Sequence, residues 1–435
     1  MVRLKQWSVM GLMVCSMMLF AGQWYDCVHV PTKPCQEGSA MAFGRYAGTP
    51  YVWLMHGKPG DHGYLNRYSV PANLWDARAS MPQAPGSTGW GGALAWVADP
   101  FAYPEDGWLF ALKGNNTREF WMYRPGVNAW YRQEDIPASV GEGGALCFGG
   151  YHMEEGLNRA WIYAFVGGGS TEFYRYSFPV SPTRAPAPSR WSQLSSLGHP
   201  VKGGGALAWC PMTGTGYTKG LVIGQRGDNT YGLYKYDPVQ NSWSVAASVN
   251  YYIGKGGAMT ASPGRDSVWC FRGTVARQWW VYDARGGGIR YFTDATERTW
   301  WKTQRDGAAI CHDGNYVYAQ CGYDAYAPPT YFKRFSLSGA QEQGGGQGNA
   351  ANPLGPATVS AGPGVHRFRF GAPLQGTVTL CIRDAAGRTR ASIRTESGSG
   401  ATELVWNHQG VAPGVYFYAV EAAGTRAAGK IVVAR

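Results

Sequence analysis

The sequence predicts an all-β fold: a six-bladed β-propeller closed by its N-terminal strand, followed by a small C-terminal β-sandwich. Three observations carry this. A Gly-Gly-Ala-apolar stretch occurs in four clear and two weaker copies with a period near 50 residues, a spacing that belongs to repeat architectures. Each recurrence is followed by short apolar or alternating runs bounded by Gly, Pro, Asn and Asp, which read as strands. Residues 357–435 carry their own set of short strands behind a glycine-rich break.

The repeated stretch is clearest in Gly91-Gly92-Ala93-Leu94-Ala95-Trp96 and returns in Gly143-Gly144-Ala145-Leu146, Gly204-Gly205-Ala206-Leu207 and Gly256-Gly257-Ala258-Met259. Weaker copies are Gly38-Ser39-Ala40-Met41 and Gly307-Ala308-Ala309-Ile310. With the alanine as origin, the copies fall at 40, 93, 145, 206, 258 and 308. Small residues suit a strand that lies where several blades converge. A second strand in each repeat is an apolar run ending in glycine, as in Trp108 to Gly114, Trp161 to Gly167 and Leu221 to Gly227. A third alternates and ends on Tyr68, Tyr123, Tyr176, Tyr236, Tyr282 or Phe335. A fourth opens on Trp75, Trp130, Trp191, Trp243 or Trp300. The sixth repeat lacks its tryptophan strand, while Trp24 to Val30 is a tryptophan strand without a blade before it. The N-terminal segment is therefore expected to complete the last blade, removing an exposed sheet edge.

Tyr236-Asp237-Pro238 through Asn241-Ser242-Trp243 resembles the kelch repeat, although most repeats here end the second strand on one glycine rather than two. The resemblance spans roughly residues 24 to 339 and implies the propeller fold. It assigns no function, because such folds host many chemistries.

Upstream, Arg3 and Lys5 precede the apolar run Trp7 to Phe20, with Ala21 and Gly22 behind it. That is the layout of a secretory signal peptide over residues 1–22; the run is too short to span a bilayer, and no other segment could. An exported chain, extracellular or on the cell surface after passing through the periplasm, is expected. Residues 23–338 form the propeller and 339–356, rich in Gly and Gln, a flexible linker. In residues 357–435, Asp384, Gly387, Arg388, Trp406-Asn407, Gly414-Val415-Tyr416-Phe417-Tyr418 and Lys430 to Arg435 carry a further resemblance. They are similar to the Ig-like tails of bacterial exported proteins, the flagellar hook-cap Ig-like domain and the type IX secretion sorting domain. The resemblance implies secretion machinery as a partner and a role in export or surface attachment. The core of this domain is expected to hold Val378, Leu380, Ile382, Val405, Trp406, Val415, Phe417 and Val432.

The net charge of +11 is spread singly rather than in basic runs, which argues against nucleic-acid binding. Beyond Cys15, eight cysteines remain without C-x-x-C spacing, so no zinc site is expected. Cys27 and Cys35 are close enough in sequence to test as a disulfide, whereas a tight turn at Asp313-Gly314 would set Cys311 opposite Tyr316 and keep it from Cys321. The eight histidines are scattered. His56 and His62 flank a turn and read as exposed loop residues. No catalytic motif occurs, and no cofactor or metal is expected.

What remains is a surface. Loops from second to third strands, and from one blade to the next, open on one face. They supply Trp90, Arg118, Tyr252, Arg277, Arg305 and Tyr326, together with Tyr251 and Tyr323. Arg226 and Arg272 precede strand-ending glycines and should point the same way. Aromatic planes with arginines suit sugars, peptides and anionic ligands. The reading is an exported, non-catalytic binding or adhesion protein with an extracellular glycan or protein ligand. The alternative is an extracellular carbohydrate-active enzyme of kelch-propeller type, a sugar epimerase or a galactose-oxidase-like enzyme. An enzyme should gather at least two acid–base groups in the channel mouth, whereas arginines and aromatics there favour binding.

Overall fold

The computed structural model describes residues 24–30, 35–57, 63–82, 88–100, 107–180, 189–263, 266–292, 304–322, 331–336, 358–362, 364–369, 376–384, 389–397, 403–422 and 425–433. The expected leader (1–22) and linker (339–356) lie outside these residues, as do His62, Trp300, Tyr323 and Tyr326. The chain divides into two compact units, Met1–Ala340 and Gln341–Arg435. The described residues contain strands and no helix, so no helix is long and apolar enough to cross a membrane.

The first unit is a six-bladed propeller. A short strand β1 (Trp24–Asp26) precedes blade 1, made of β2 (Ala40–Tyr46), β3 (Thr49–Met55), β4 (Leu65–Ser69) and β5 (Leu74–Arg78). Blade 2 is β6 (Ala93–Ala98), β7 (Gly107–Leu112), β8 (Phe120–Arg124) and β9 (Ala129–Arg132). Blade 3 is β10 (Ala145–Glu154), β11 (Leu157–Phe165), β12 (Phe173–Pro179) and β13 (Arg190–Leu194). Blade 4 is β14 (Gly205–Cys210), β15 (Leu221–Arg226), β16 (Thr230–Asp237) and β17 (Ser242–Ile253). Blade 5 is β18 (Ala258–Ala261), β19 (Ser267–Phe271), β20 (Trp279–Asp283) and β21 (Ile289–Phe292). Blade 6 joins β22 (Ala309–His312), β23 (Tyr316–Gln320) and β24 (Phe332–Ser336) to β1, with Trp24 opposite Phe335 and Asp26 opposite Lys333.

Strand alternation sends successive side chains to opposite faces, so each blade feeds two cores. Blade 1 gives Val52 and Leu54 to a cluster with Cys311, Tyr318 and Phe332 of blade 6, and Trp53 and Met55 to a cluster with Leu109 and Tyr123 of blade 2. Four further clusters fill the remaining blade interfaces. Six interfaces for six blades make a ring.

The Gly-Gly signature sits where that ring is tightest. Six equivalent turns close with hydrogen bonds of 2.7–2.9 Å, from Ser39 N–H to Gln36 O in blade 1 through Ala308 N–H to Arg305 O in blade 6. In each, the third residue is a glycine with φ between +79° and +92°: Gly38, Gly91, Gly143, Gly204, Gly256 and Gly307. That is the third position of a type II turn. A Cβ there would strike a carbonyl of the next blade. Gly38 faces Gly89, Gly91 faces Gly141, and so on to Gly307, which faces Gln36 of blade 1. This geometry moves the origin of the sixth repeat by one residue: Ala309, not Ala308, is equivalent to Ala93.

The outer strands are stapled from blade to blade. Asn128 Oδ1 accepts both the Tyr123 hydroxyl (2.6 Å) and the Ala79 N–H (2.9 Å), while Trp130 Nε1 donates to Ala79 O (2.8 Å). The set recurs as Tyr68, Asn73 and Trp75 on Val28, and as Tyr236, Asn241 and Trp243 on Ser195. The first ties blade 1 to the segment after β1.

Several expectations are corrected. The fourth strand of blade 5 is Ile289–Phe292 rather than one opened by Trp300. The Gly-rich stretch 286–288 is the hairpin turn itself, with Asp283 N–H donating to Gly288 O. Cys311 lies opposite Tyr318, not Tyr316, because the loop over Asp313 takes up two more residues than a tight turn. Cys27 and Cys35 are buried thiols of one core rather than a disulfide. His56 is buried and shares a 3.0 Å hydrogen bond with Asn66, because it directly follows core strand β3 and its N–H donates to Tyr64 O at 2.8 Å.

The second unit has two antiparallel sheets. One is β25 (Thr358–Gly362), β26 (Val365–Arg369) and β29 (Glu403–Asn407); the other orders β28 (Thr389–Ser397), β27 (Gly376–Asp384), β30 (Gly414–Ala422) and β31 (Thr425–Val433). Phe368, Leu404 and Trp406 of the first sheet share one core with Val378, Leu380, Ile382, Tyr416, Tyr418 and Val420 of the second. Val405 is 42% exposed, since adjacent strand residues cannot both face inward. The side chains of Val415, Phe417 and Val432 lie outside the described residues.

Candidate ligand-binding face

In each four-stranded blade, the start of the inner strand and the loop between second and third strands lie on the same face. At its centre, the second residue of each Gly turn forms a mouth around the axis: Glu37, Trp90, Glu142, Gly203, Lys255 and Asp306. The carbonyl of each of these residues faces the glycine that ends the second strand of its own blade, Gly57, Gly114, Gly167, Gly227, Gly273 or Gly322. A side chain at any of those glycines would push the turn inward, which explains the second recurring glycine of the sequence.

The mouth is charged. Glu142 and Lys255 meet at 2.7 Å across blade 4, and they do so over Gly203, where a Cβ would strike both side chains. The Glu142 carboxylate raises the Lys255 ammonium, burial opposing it. Burial raises the Asp306 carboxyl above its ordinary value; Lys255 opposes the shift, and Glu37 and Glu142 add to it. Trp90 stands beside these groups, 43% exposed. The mouth is therefore lined by acids, one lysine and one tryptophan, rather than only by arginines and aromatics, the lining expected to favour binding.

The arginine–aromatic set lies to one side, over blades 4 and 5. The Arg272 guanidinium sits 4.4 Å from the Tyr252 ring and 5.2 Å from the Tyr251 ring. Arg272 Nη1 donates to Gln278 Oε1 (2.9 Å) and Nε to Tyr252 O (3.3 Å). Tyr231 meets Tyr252 edge-on at 6.4 Å. Tyr231 and Tyr252 are 49% and 38% exposed, so two rings and an already oriented cation face solvent together. Tyrosine rings offer contact area with little rotamer loss, and arginine joins them among the residues that dominate binding energy.

Of the residues expected to bind, Tyr252 and Arg272 are thus brought into one cluster. Trp90 belongs to the mouth. Arg118 is exposed on blade 2 with Nε donating to Ile136 O at 2.9 Å, and Arg277 is exposed on blade 5. Arg226 and Arg305 are half-buried, and the Nε of each is buried without a hydrogen-bond partner among the described residues. Tyr326 lies outside the described residues. Glu37, Glu142, Lys255 and Asp306 were not singled out from sequence, although each directly precedes the repeated glycine. Tyr231 was missed because it opens a strand rather than lying in a loop.

Among the described residues no group of three His, Cys, Asp or Glu side chains is arranged to hold a metal. No family model matches the chain, and no curated protein matches it. Among solved structures the chain is similar to a fungal alcohol oxidase of the AA5 family, solved in complex with copper. The identity is 12%, over 95% of this chain and 100% of that one, with a TM-score of 0.44. It is similar to the fucose-specific lectin from Aleuria aurantia at 16% identity, over 67% of this chain and 90% of that one, with a TM-score of 0.46. It is also similar to the SapL1 lectin, solved with α-methyl fucoside, at 10% identity, over 69% and 93% of the two chains, with a TM-score of 0.43. At these identities and TM-scores the likeness says nothing of any side chain of the face described above.

Proposed function

We propose that the protein is an exported, non-catalytic binding or adhesion protein whose propeller presents its loop face to an extracellular glycan or protein. The observation that carries this is the solvent-facing cluster of Tyr231, Tyr252 and Arg272, with the guanidinium held against the Tyr252 ring by its own hydrogen bonds. Such a cluster can stack on a sugar or side-chain plane and pair with an acceptor without first being ordered. The test is a glycan and peptide array probed with the full chain and with Y252A. Specific spots for the wild type that fade for Y252A are expected. Wild-type spots that persist in the variant would remove this cluster from the function.

The blades are proposed to be of kelch type, supported by the Tyr-Asn-Trp staples, and the ring to be closed by the N-terminal strand, supported by the Trp24 to Phe335 register. A chain lacking residues 23–34 should then lose cooperative unfolding; unchanged cooperativity would refute closure. The second unit is proposed to be an Ig-like sandwich serving secretion or surface attachment, supported by two sheets over one core. In a bacterial host with the matching machinery, a chain ending at Gly339 should stay in the periplasm. Its normal appearance outside the cell would refute that role.

One observation favours the enzymatic alternative. The mouth gathers acid–base groups, with Asp306 raised and Glu142 against Lys255. Turnover of an extracellular sugar that D306N abolishes would establish it.

A further inference from the structure

The far ends of the inner strands, away from the Gly turns, enclose a second site of different character. A cavity of about 420 Å³ lies on the propeller axis, within the rough range of 300–1,000 Å³ that small-molecule sites occupy. Blades 1 to 4 supply apolar walls, among them Phe43, Trp96, Phe148 and Trp209. Polar side chains are gathered on blades 5 and 6, where Ser262 and His312 are 3% and 4% exposed. The cavity is thus apolar on one side and hydrogen-bonding on the other.

The hydrogen bonds at Ser262 can be assigned. Gly314 N–H donates to His312 Nδ1 at 2.7 Å, so Nδ1 carries no proton and the imidazole is neutral with its proton on Nε2. His312 Nε2 therefore donates to Ser262 Oγ across their 3.1 Å contact, and Trp269 Nε1 donates to the same oxygen at 2.8 Å. With both lone pairs of Ser262 used, its own proton is left to donate, and no protein acceptor for it occurs among the described residues. His312 cannot act as a base toward Ser262, because the nitrogen facing the hydroxyl already holds a proton. The dyad is a fixed donor rather than a nucleophile.

The lining also selects against charge. Among the described residues it contains no Asp, Glu, Lys or Arg, and burial raises the Cys147 and Cys311 thiols far above their ordinary range, with smaller contributions from Cys210 and Asp313 respectively. A charged ligand would be desolvated without a partner, which is costly.

We propose that this axial cavity binds a neutral, largely apolar small molecule carrying a hydrogen-bond acceptor such as a carbonyl oxygen, which takes the hydroxyl proton of Ser262. The site is separate from the loop face and stands or falls independently of it.

Two probes of matched shape test this on the full chain by fluorine NMR: 4-fluoroacetophenone, which has the acceptor, and 1-ethyl-4-fluorobenzene, which lacks it. The ketone is expected to bind about tenfold more tightly than the hydrocarbon, the scale of one net hydrogen bond. In S262A that preference should vanish while hydrocarbon affinity is kept, and S262T should restore it. A261F, which fills the cavity wall, should abolish binding of both. Thermal melts of each variant identify loss of fold, and S262T keeps the test decisive if S262A unfolds: its own ketone preference must match the wild type. Absence of binding by either probe at millimolar concentration, equal affinities in the wild type, or equal weakening of both probes in S262A would overturn the proposal.

Discussion

Glu154 in blade 3 and Asp306 at the channel mouth are carboxylic acids on the same ring, and the fold holds them in opposite ways. Burial pushes Glu154 up, but the Ser177 hydroxyl (2.7 Å), Arg175 (3.1 Å), Trp161 Nε1 (3.1 Å) and Arg190 (3.3 Å) outweigh it and hold the carboxyl at about 2. Nearly buried Arg159 lies 3.4 Å from the same carboxylate and donates to Ser177 Oγ. Asp306 has burial and two neighbouring acids against it and one lysine in its favour. The difference separates architecture from site. Where the fold needs a charge, it surrounds it with donors; at the mouth it leaves charge under-compensated and in reach of solvent, which is where perturbed groups are available to a ligand.

The sharpest way to break this contrast is E154A. It removes the carboxylate that lies 3.4 Å from buried Arg159 and accepts from Ser177 Oγ, Trp161 Nε1 and Arg175, and a loss of about 3 kcal/mol is expected, the low end for one partner of a buried pair because Glu154 keeps 17% exposure. Urea unfolding should show that loss, and a change below about 1 kcal/mol would mean the knot is ornamental. The pH dependence has a definite sign. A carboxyl depressed in the fold contributes stability that is fully present above its ordinary value and is lost as pH falls from there through about 2. The wild type should therefore lose stability on acidification more steeply than E154Q.

The staples come next in size. N128A removes acceptors for the Tyr123 hydroxyl and the Ala79 N–H and puts a Cβ-bearing residue without a local hydrogen bond at φ +52°. A loss of about 2 kcal/mol is expected, from two hydrogen bonds and a left-handed backbone. N128G relieves the backbone and should recover part of it. Equal losses in the two variants would mean that backbone strain contributes nothing.

D306N should have the smallest effect and the opposite sign. A carboxyl raised in the fold costs stability as pH rises and it ionises, so removing the charge should raise Tm at pH 7 by about 1 °C, a fraction of a kcal/mol at this size. The gain should disappear by about pH 4, near the ordinary carboxyl value. A fall in Tm at neutral pH would show that Asp306 is held by donors as Glu154 is.

Much of the propeller was legible in the sequence because its tightest steric requirement repeats: only glycine fits the turn where each blade meets the next, so Gly91, Gly143, Gly204 and Gly256 mark the blades. Legibility failed where the local signal was weaker than its context. The sixth repeat carries Gly-Ala-Ala, and nothing local says which alanine starts the strand. Blade 5 hides its fourth strand behind a glycine run that looks like an insertion, while Trp300 mimics the expected opening residue. His56 reads as a loop residue by its neighbours but directly follows a core strand and is buried. Val405 and Trp406 cannot both be inside, and apolarity alone does not choose between them. The candidate face was half legible. Tyr252 and Arg272 stand out by residue type, whereas their meeting with Tyr231 depends on the pairing of β16 with β17. The mouth residues were in view beside every repeated glycine, but only the ring turns six separate positions into one charged site.

The proposed recognition of a ligand by the loop face rests on the cluster over blades 4 and 5. Its most direct test is the Kd, by calorimetry, of the strongest array ligand for the full-length wild type, Y252A and R272M, with melts run in parallel. At least about tenfold weaker binding is expected in each variant, as for an anchor aromatic or arginine, with Tm within about 2 °C of the wild type. Wild-type affinity in both variants would contradict it and move recognition to another part of the ring.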